Sequence, residues 1–192
     1  MKNFRGDTSW IHRWEGHAGR AYWPQGNSGV TLDPGVDLGH IDADLFTKAY
    51  GTLLTGEQMA AARKVMGLKG EAAGNALTEA KANNTPLASI RVSRDQADPI
   101  FALVAEPYWN RIAARFNSLQ GDRVPGAVHT AFLSLAYNRG TGNKDLEQLR
   151  GPLDSGNWAE VGRRIQGMQQ DHKLEGIRKR RRAEGQLILD NL

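Results

Sequence analysis

Residues 127–140, AVHTAFLSLAYNRG, are apolar around nearly the whole circumference of a helix and close on a glycine. A helix of that kind has no face to give to water, so other elements must surround it. That requirement commits most of the chain to a helical assembly. A length of 192 residues suffices to bury such a core without cross-links. The chain has no cysteine, so neither a disulfide framework nor a thiolate metal site is open to it.

The surrounding helices announce themselves by their caps. TGEQMAAARKVMG carries Thr55 and Gln58 at capping-box spacing, and Ser93 with Gln96 repeats the signature ahead of Ile100, Leu103, Val104, Ile112 and Phe116. Pro107 falls inside that second pattern and is expected to kink or divide the helix. NWAEVGRRIQGMQ and IRKRRRAEGQLIL read as two later helices, and residues 51–91 as two Ala-rich pieces joined near NNTP. At the other end, Asp7, Thr8 and Ser9 offer caps for a short helix carrying Trp10, Ile11 and Trp14 and ending near Gly16 or Gly19. Between lies RAYWPQGNSGVTLDPGVDLGH, rich in Gly, Pro and Asn. It reads as a hairpin or small three-stranded antiparallel sheet with turns at Gly26-Asn27 and Pro34-Gly35. The expected fold is a single α+β domain, mostly α. About 1–50 forms the N-terminal helix and β-lobe, about 51–192 the helical lobe, with a ligand site in the cleft between them.

Several classes of chemistry are missing. There is no phosphate loop, no dinucleotide fingerprint, no HExxH and no GxSxG elbow. His12 and His17 are badly spaced for one helix face, and no metal site is expected. What remains is carboxylates. Glu15 sits one residue before Gly16, at the end of a helix with two tryptophans, where dipole and apolar neighbours both disfavour the ionised form; that suits a general acid. An exposed Glu paired with Arg13 or Arg20 is the plainer alternative. Glycoside hydrolysis needs two carboxyls across a sugar ring, one to protonate the leaving oxygen and one to activate water. The hairpin offers Thr31 with Asp33 or Asp37. Asp33 precedes Pro34-Gly35 and suits the turn; Asp37 lies beyond it, where no turn needs it. His40 either lines the cleft or bonds within the hairpin, and the second is preferred.

WEGHAGRAYWP followed by SGVTLDPGVDLGH resembles the bacteriophage lysozymes, specifically their pesticin-like branch. HTAFLSLAYNRGTG resembles the buried helix of those proteins, and GIRKRRRAEGQLIL is similar to their C-terminal segment. The three matches span the first forty residues and most of the last seventy, while 41–120 match only as generic helices. The resemblance implies a lysozyme-like muramidase (a glycoside hydrolase, without cofactor) in which Glu15, Thr31 and Asp37 form the catalytic set. It implies inversion, with carboxyls roughly 6.5–9.5 Å apart. It also turns the corner of Tyr137, Asn138 and Arg139 toward the substrate, although Asn138 could equally cap its helix. The T-even order, with an Asp between Glu and Thr, is absent, because no acid lies between Glu15 and Thr31.

The net charge is +4, all of it matched by residues 160–185, where eight Lys/Arg face four Asp/Glu. Within the last helix Arg181 and Glu184 are expected to be half-buried and paired. Arg178, Lys179 and Arg182 are expected to form an exposed basic face for lipopolysaccharide or a membrane surface. No nucleic-acid partner is expected, since aromatics do not interleave the basic segment. The sequence shows no signal peptide and no membrane-span-length apolar run. The expectation is a monomeric endolysin, held in the host bacterial cytoplasm until a separate pore releases it to peptidoglycan. The rival readings are a lytic transglycosylase, which needs only the Glu, and a non-catalytic envelope binder.

Overall fold

A computed structural model describes all 192 residues. Along the chain, α1 (Thr8–His12) precedes the strands β1 (Thr31–Leu32) and β2 (Val36–Asp37). The helices α2 (Ala43–Tyr50), α3 (Gly56–Val65), α4 (Gly70–Ala82), α5 (Pro86–Ser89), α6 (Arg94–Arg115), α7 (Gly126–Arg139), α8 (Arg150–Asp154), α9 (Trp158–Gly167) and α10 (Glu175–Leu189) follow. The protein is mostly helical with one small two-stranded antiparallel sheet. The third strand allowed by the sequence is reduced to a single bridge between Tyr22 and Thr31. No helix is long and apolar enough to cross a membrane.

Both capping boxes form. Thr55 and Gln58 exchange bonds at the start of α3. At the start of α6 the Ser93 amide donates to Gln96 Oε1 (2.8 Å) and the Gln96 amide to Ser93 Oγ (3.3 Å). Pro107 does not divide α6, which runs unbroken through Pro99 and Pro107 for 22 residues. A proline withdraws one backbone donor from the ladder; here the bonds on either side and the burial of Phe101, Ala105 and Trp109 carry the helix past it.

The chain divides into two compact units, but not near residue 50. One comprises 15–104 and the other 1–14 with 105–192, the boundary falling inside α6. The reason lies in the core of the first unit. Val30, Leu32, Val36 and Leu38 of the hairpin pack with Phe46, Tyr50, Leu77, Leu87 and Ile90 from α2 and the segment through α5. Each fully buried side chain of this kind contributes roughly 1.5–3 kcal/mol. That gain ties the hairpin to the helices that follow it, making them one body rather than a β-lobe beside a helical one.

In the second unit α7 is central, as its sequence demands: Val128 through Ala136 are all buried. α1 and α10 pack on it, and α9 lies along α10. The α9–α10 contact is a close approach of backbones. A Cβ on Gly185 would stand 2.3 Å from the Gly162 carbonyl oxygen, so only glycine lets the helices meet there.

Candidate functional site

The hairpin supplies the local geometry. Thr31 pairs with Asp37 and Leu32 with Val36. On its other side Thr31 exchanges both backbone bonds with Tyr22, at 3.0 and 2.7 Å. With its N–H and C=O turned to Tyr22, Thr31 meets Asp37 as a non-hydrogen-bonded pair, the kind that brings facing side chains closest. Residues in direct register share a face of the sheet. Tyr22, Thr31 and Asp37 therefore form one cross-strand row. Sequence reasoning named two of the three and missed Tyr22. The signal was present: Tyr22 and Thr31 lie equidistant from the Gly26-Asn27 turn, so a hairpin there pairs them. Burial, and after it the carboxylates of Asp33 and Asp37, push the Tyr22 phenol up.

The Asp37 carboxylate is held from three sides. Its Oδ1 accepts from the Gly29 amide (2.9 Å) and the Gly39 amide (2.8 Å). Its Oδ2 lies 3.0 Å from His40 Nδ1. Oδ1 is thus fully used, while Oδ2 keeps a lone pair for another donor, and the side chain is 26% exposed. Thr31 is nearly covered, at 3% exposure. Its hydroxyl donates to the Gly29 carbonyl at 3.2 Å, which leaves the oxygen as an acceptor. Both side chains converge on Gly29, Asp37 at its N–H and Thr31 at its C=O. A Cβ on Gly29 would fall 2.3 Å from the Gly39 nitrogen and 2.5 Å from Asp37 Oδ1.

Asp33 does something other than its expected turn duty. Its backbone lies in the tight turn, where the Gly35 amide donates to the Leu32 carbonyl and the Asp33–Pro34 peptide is cis. Its carboxylate leaves the turn and accepts from Ala18 N (3.1 Å to each oxygen) and Gly19 N (2.6 Å). The side chain is 1% exposed and its oxygens are engaged by those backbone donors, whereas Asp37 is 26% exposed with Oδ2 open to another donor.

Glu15 is half-buried in a bend. α1 ends at His12 with Arg13 as its C-cap, earlier than Gly16, so the helix-end dipole argument does not apply to it. The Arg94 guanidinium donates to the Glu15 carbonyl at 3.4 Å. Glu15, Thr31 and Asp37 all fall within one unit, 15–104, with Glu15 at its first position. The histidines separate: His17 Nδ1 lies 3.6 Å from Asp33 and His40 Nδ1 lies on Asp37. No group of three His, Asp or Glu is placed to hold a metal ion.

Tyr137, Asn138 and Arg139 belong to the other unit. Tyr137 packs on Tyr108 with ring centroids 4.9 Å apart. Asn138 does not cap α7, since Gly140 is the C-cap; its Oδ1 accepts from Arg181 at 3.0 Å. Arg139 is exposed. Arg181 and Glu184 pair at 3.0 Å and are wholly rather than half buried. Of the expected basic face, Lys179 and Arg182 are exposed and Arg178 is half-buried. Arg178 and Arg182 both bond Glu175, so this face carries less net charge than the residue count suggests. A groove of about 670 Å³ beside it, lined by Gln166, Gln170, Lys179, Arg182 and Gln186 among others, contains none of the hairpin residues. Compared with protein-family models and with curated proteins, the sequence matches none.

Proposed function

We propose that the chain is a peptidoglycan muramidase of lysozyme-like fold, an endolysin that hydrolyses the bond between N-acetylmuramic acid and N-acetylglucosamine. The observation that carries this reading is the cross-strand row at the hairpin. It sets a carboxylate oriented by two backbone amides and an imidazole in direct register with Thr31, on the same face of the sheet. A turn needs no such arrangement. A water bound there meets one acceptor that takes its proton and a second that fixes its direction.

In this mechanism the Glu15 carboxyl gives its proton to the glycosidic oxygen as the bond to the anomeric carbon breaks. Water attacks that carbon from the opposite face and passes a proton to Asp37 Oδ2, while the Thr31 oxygen accepts from its other hydrogen. The sugar leaves with inverted configuration and a free reducing end. His40, on Oδ2, keeps the carboxylate in place. Tyr137, Asn138 and Arg139 are proposed to meet the glycan, and Arg178, Lys179 and Arg182 an anionic envelope surface; the pairing with Glu175 lends the latter less support.

The test is steady-state release of muropeptides from purified peptidoglycan, with products identified by mass spectrometry. Glu15→Gln is expected to abolish turnover without loss of fold. Asp37→Asn should lower kcat by about 10²–10⁴, the usual worth of a positioned general base. A Glu15→Gln protein that still lyses wall would falsify the assignment. A 1,6-anhydro product from the parent would make it a transglycosylase with no need of Asp37.

A further inference from the structure

We propose that Asp33 is a positioning residue that holds the Glu15-bearing segment against the hairpin carrying Thr31 and Asp37; this rests on the muramidase reading above. A carboxylate taken out of water is expensive unless its charge is met. Asp33 is among the most buried acids of the protein, and its hydrogen bonds come from backbone, the amides of Ala18 and Gly19 at 2.6–3.1 Å, with His17 Nδ1 farther off at 3.6 Å. Two successive N–H groups aimed at one carboxylate fix two successive peptide planes. The first of them lies three residues after Glu15, so few free torsions separate the clasp from the acid.

The other end of the clasp is equally fixed. Asp33 sits at the tip of the hairpin between β1 and β2, and its carbonyl accepts from the hydroxyl of Tyr50 at 2.7 Å. Tyr50 is wholly buried in the core of the same unit. The segment it grips is pinned further on: the Gly19 carbonyl accepts from the Val92 amide at 3.4 Å and Arg20 bridges Arg91. The anchoring thus runs from the core through Tyr50 and Asp33 to Ala18 and Gly19, ending beside Glu15. Misplacing a reacting group by about 1 Å costs up to about 10²-fold in rate. A buried carboxylate is a poor device for stability alone, because its desolvation offsets much of what it gains; as a device for placement it is apt.

The experiment compares the parent with Asp33→Ala, Asp33→Asn and Asp33→Ser on purified peptidoglycan, well below the unfolding temperature of each. Amide hydrogen exchange at Ala18 and Gly19 is measured alongside. Asp33→Ala removes the acceptor: kcat should fall about 10–100-fold with KM little changed, and both amides should exchange faster. Asp33→Asn keeps one oxygen within reach of both amides and should restore most of the rate and the protection. Asp33→Ser, a shorter acceptor, should fall between them and serves in place of the alanine variant if that does not fold. A folded Asp33→Ala or Asp33→Ser protein with the parent's kcat overturns the proposal. So does an Asp33→Asn protein as inactive as Asp33→Ala with the amides still protected, since the charge itself would then be needed in the reaction. A parent that releases no muropeptide overturns the muramidase reading, and with it the catalytic meaning of the clasp. Exchange at Ala18 and Gly19 still reports in that case whether Asp33 holds the segment, so the two failures are told apart.

Discussion

Gly29 decides whether Asp37 can keep its orientation. Its amide is one of the two that hold Asp37 Oδ1, and its carbonyl takes the Thr31 hydroxyl. A methyl group there would press on the Gly39 backbone at 2.3 Å and on Asp37 Oδ1 at 2.5 Å. The first contact is with backbone and no side-chain rotation relieves it; the second is relieved only by moving the carboxylate itself. Gly29→Ala is therefore expected to remain folded but to lose activity on peptidoglycan tenfold or more, through misplacement of the carboxylate. A Gly29→Ala protein with the parent's kcat would show that the orientation of Asp37 is not used. At this scale the sequence was legible wherever local turn chemistry sets the geometry. Pro34-Gly35 marked the turn, the turn set Thr31 across from Asp37, and the glycines around it signalled close packing. It was not legible where a partner is remote in sequence. Asp33 was assigned to the turn because nothing local shows that the amides of Ala18 and Gly19 converge on it. Glu15 was placed at a helix end because the cap at Arg13, rather than a glycine, ends α1.

Among the elements, α10 shows how a buried charge joins two helices. Its Arg180, Arg181 and Glu184 are almost wholly covered. The Ser134 hydroxyl of α7 donates to Glu184, and Arg180 donates to the same Ser134 oxygen at 2.9 Å. Arg181 reaches from Glu184 to Asn138. Burial pushes the Glu184 carboxyl up, against the pull of Arg181, Ser134 and Arg180. The i,i+3 spacing announced the pair Arg181–Glu184. The depth of its burial was hidden, because the covering surface is α7, some fifty residues earlier. Breaking such a pair from one side leaves uncompensated charge, at a cost of about 3–5 kcal/mol. Glu184→Ala should destabilise by that order, measured as the shift in urea midpoint. Glu184→Gln, which keeps an acceptor for the guanidinium groups, should cost less. Equal midpoints for Glu184→Ala and the parent would mean that the cluster contributes nothing to holding α10 on α7.

For the whole molecule, the unit built from both ends of the chain needs a fastening between its two pieces. The N-terminal segment provides it: the Lys2 carbonyl accepts from Trp109 Nε1 (2.9 Å), the Arg5 amide donates to His129 Nδ1 (3.0 Å) and the Asp7 amide to Thr130 Oγ1 (2.8 Å). His129 is the titratable part of this fastening. Its Nδ1 accepts and its Nε2 lies 2.9 Å from the Leu119 carbonyl, an arrangement that requires the neutral ring with its proton on Nε2. Burial first, and then Arg5, lower its pKa to about 4, from 6.5 in the unfolded chain, against the Leu119 carbonyl. The sign follows from which state binds the proton first. Above pH 6.5 both states are neutral and the ring imposes no pH dependence. Between 6.5 and about 4 the unfolded chain is protonated while the folded one is not, so stability falls as the pH falls; below about 4 this contribution levels off. A second, more acidic window belongs to carboxylates. Arg150 and Arg115 hold Glu147 down to about 2 from 4.5, so its stabilising effect is present above 4.5 and fades toward pH 2. A urea midpoint measured against pH should therefore decline first between 6.5 and 4. His129→Gln, with no group to titrate there, should start from a lower midpoint and lose that first decline while keeping the acidic one. An unchanged slope between pH 6.5 and 4 in the glutamine variant would remove His129 from the account. The fastening of the two chain ends would then rest on its other bonds, among them those to Trp109 and Thr130 and those of the Arg5 guanidinium to the Gly121 and Val124 carbonyls.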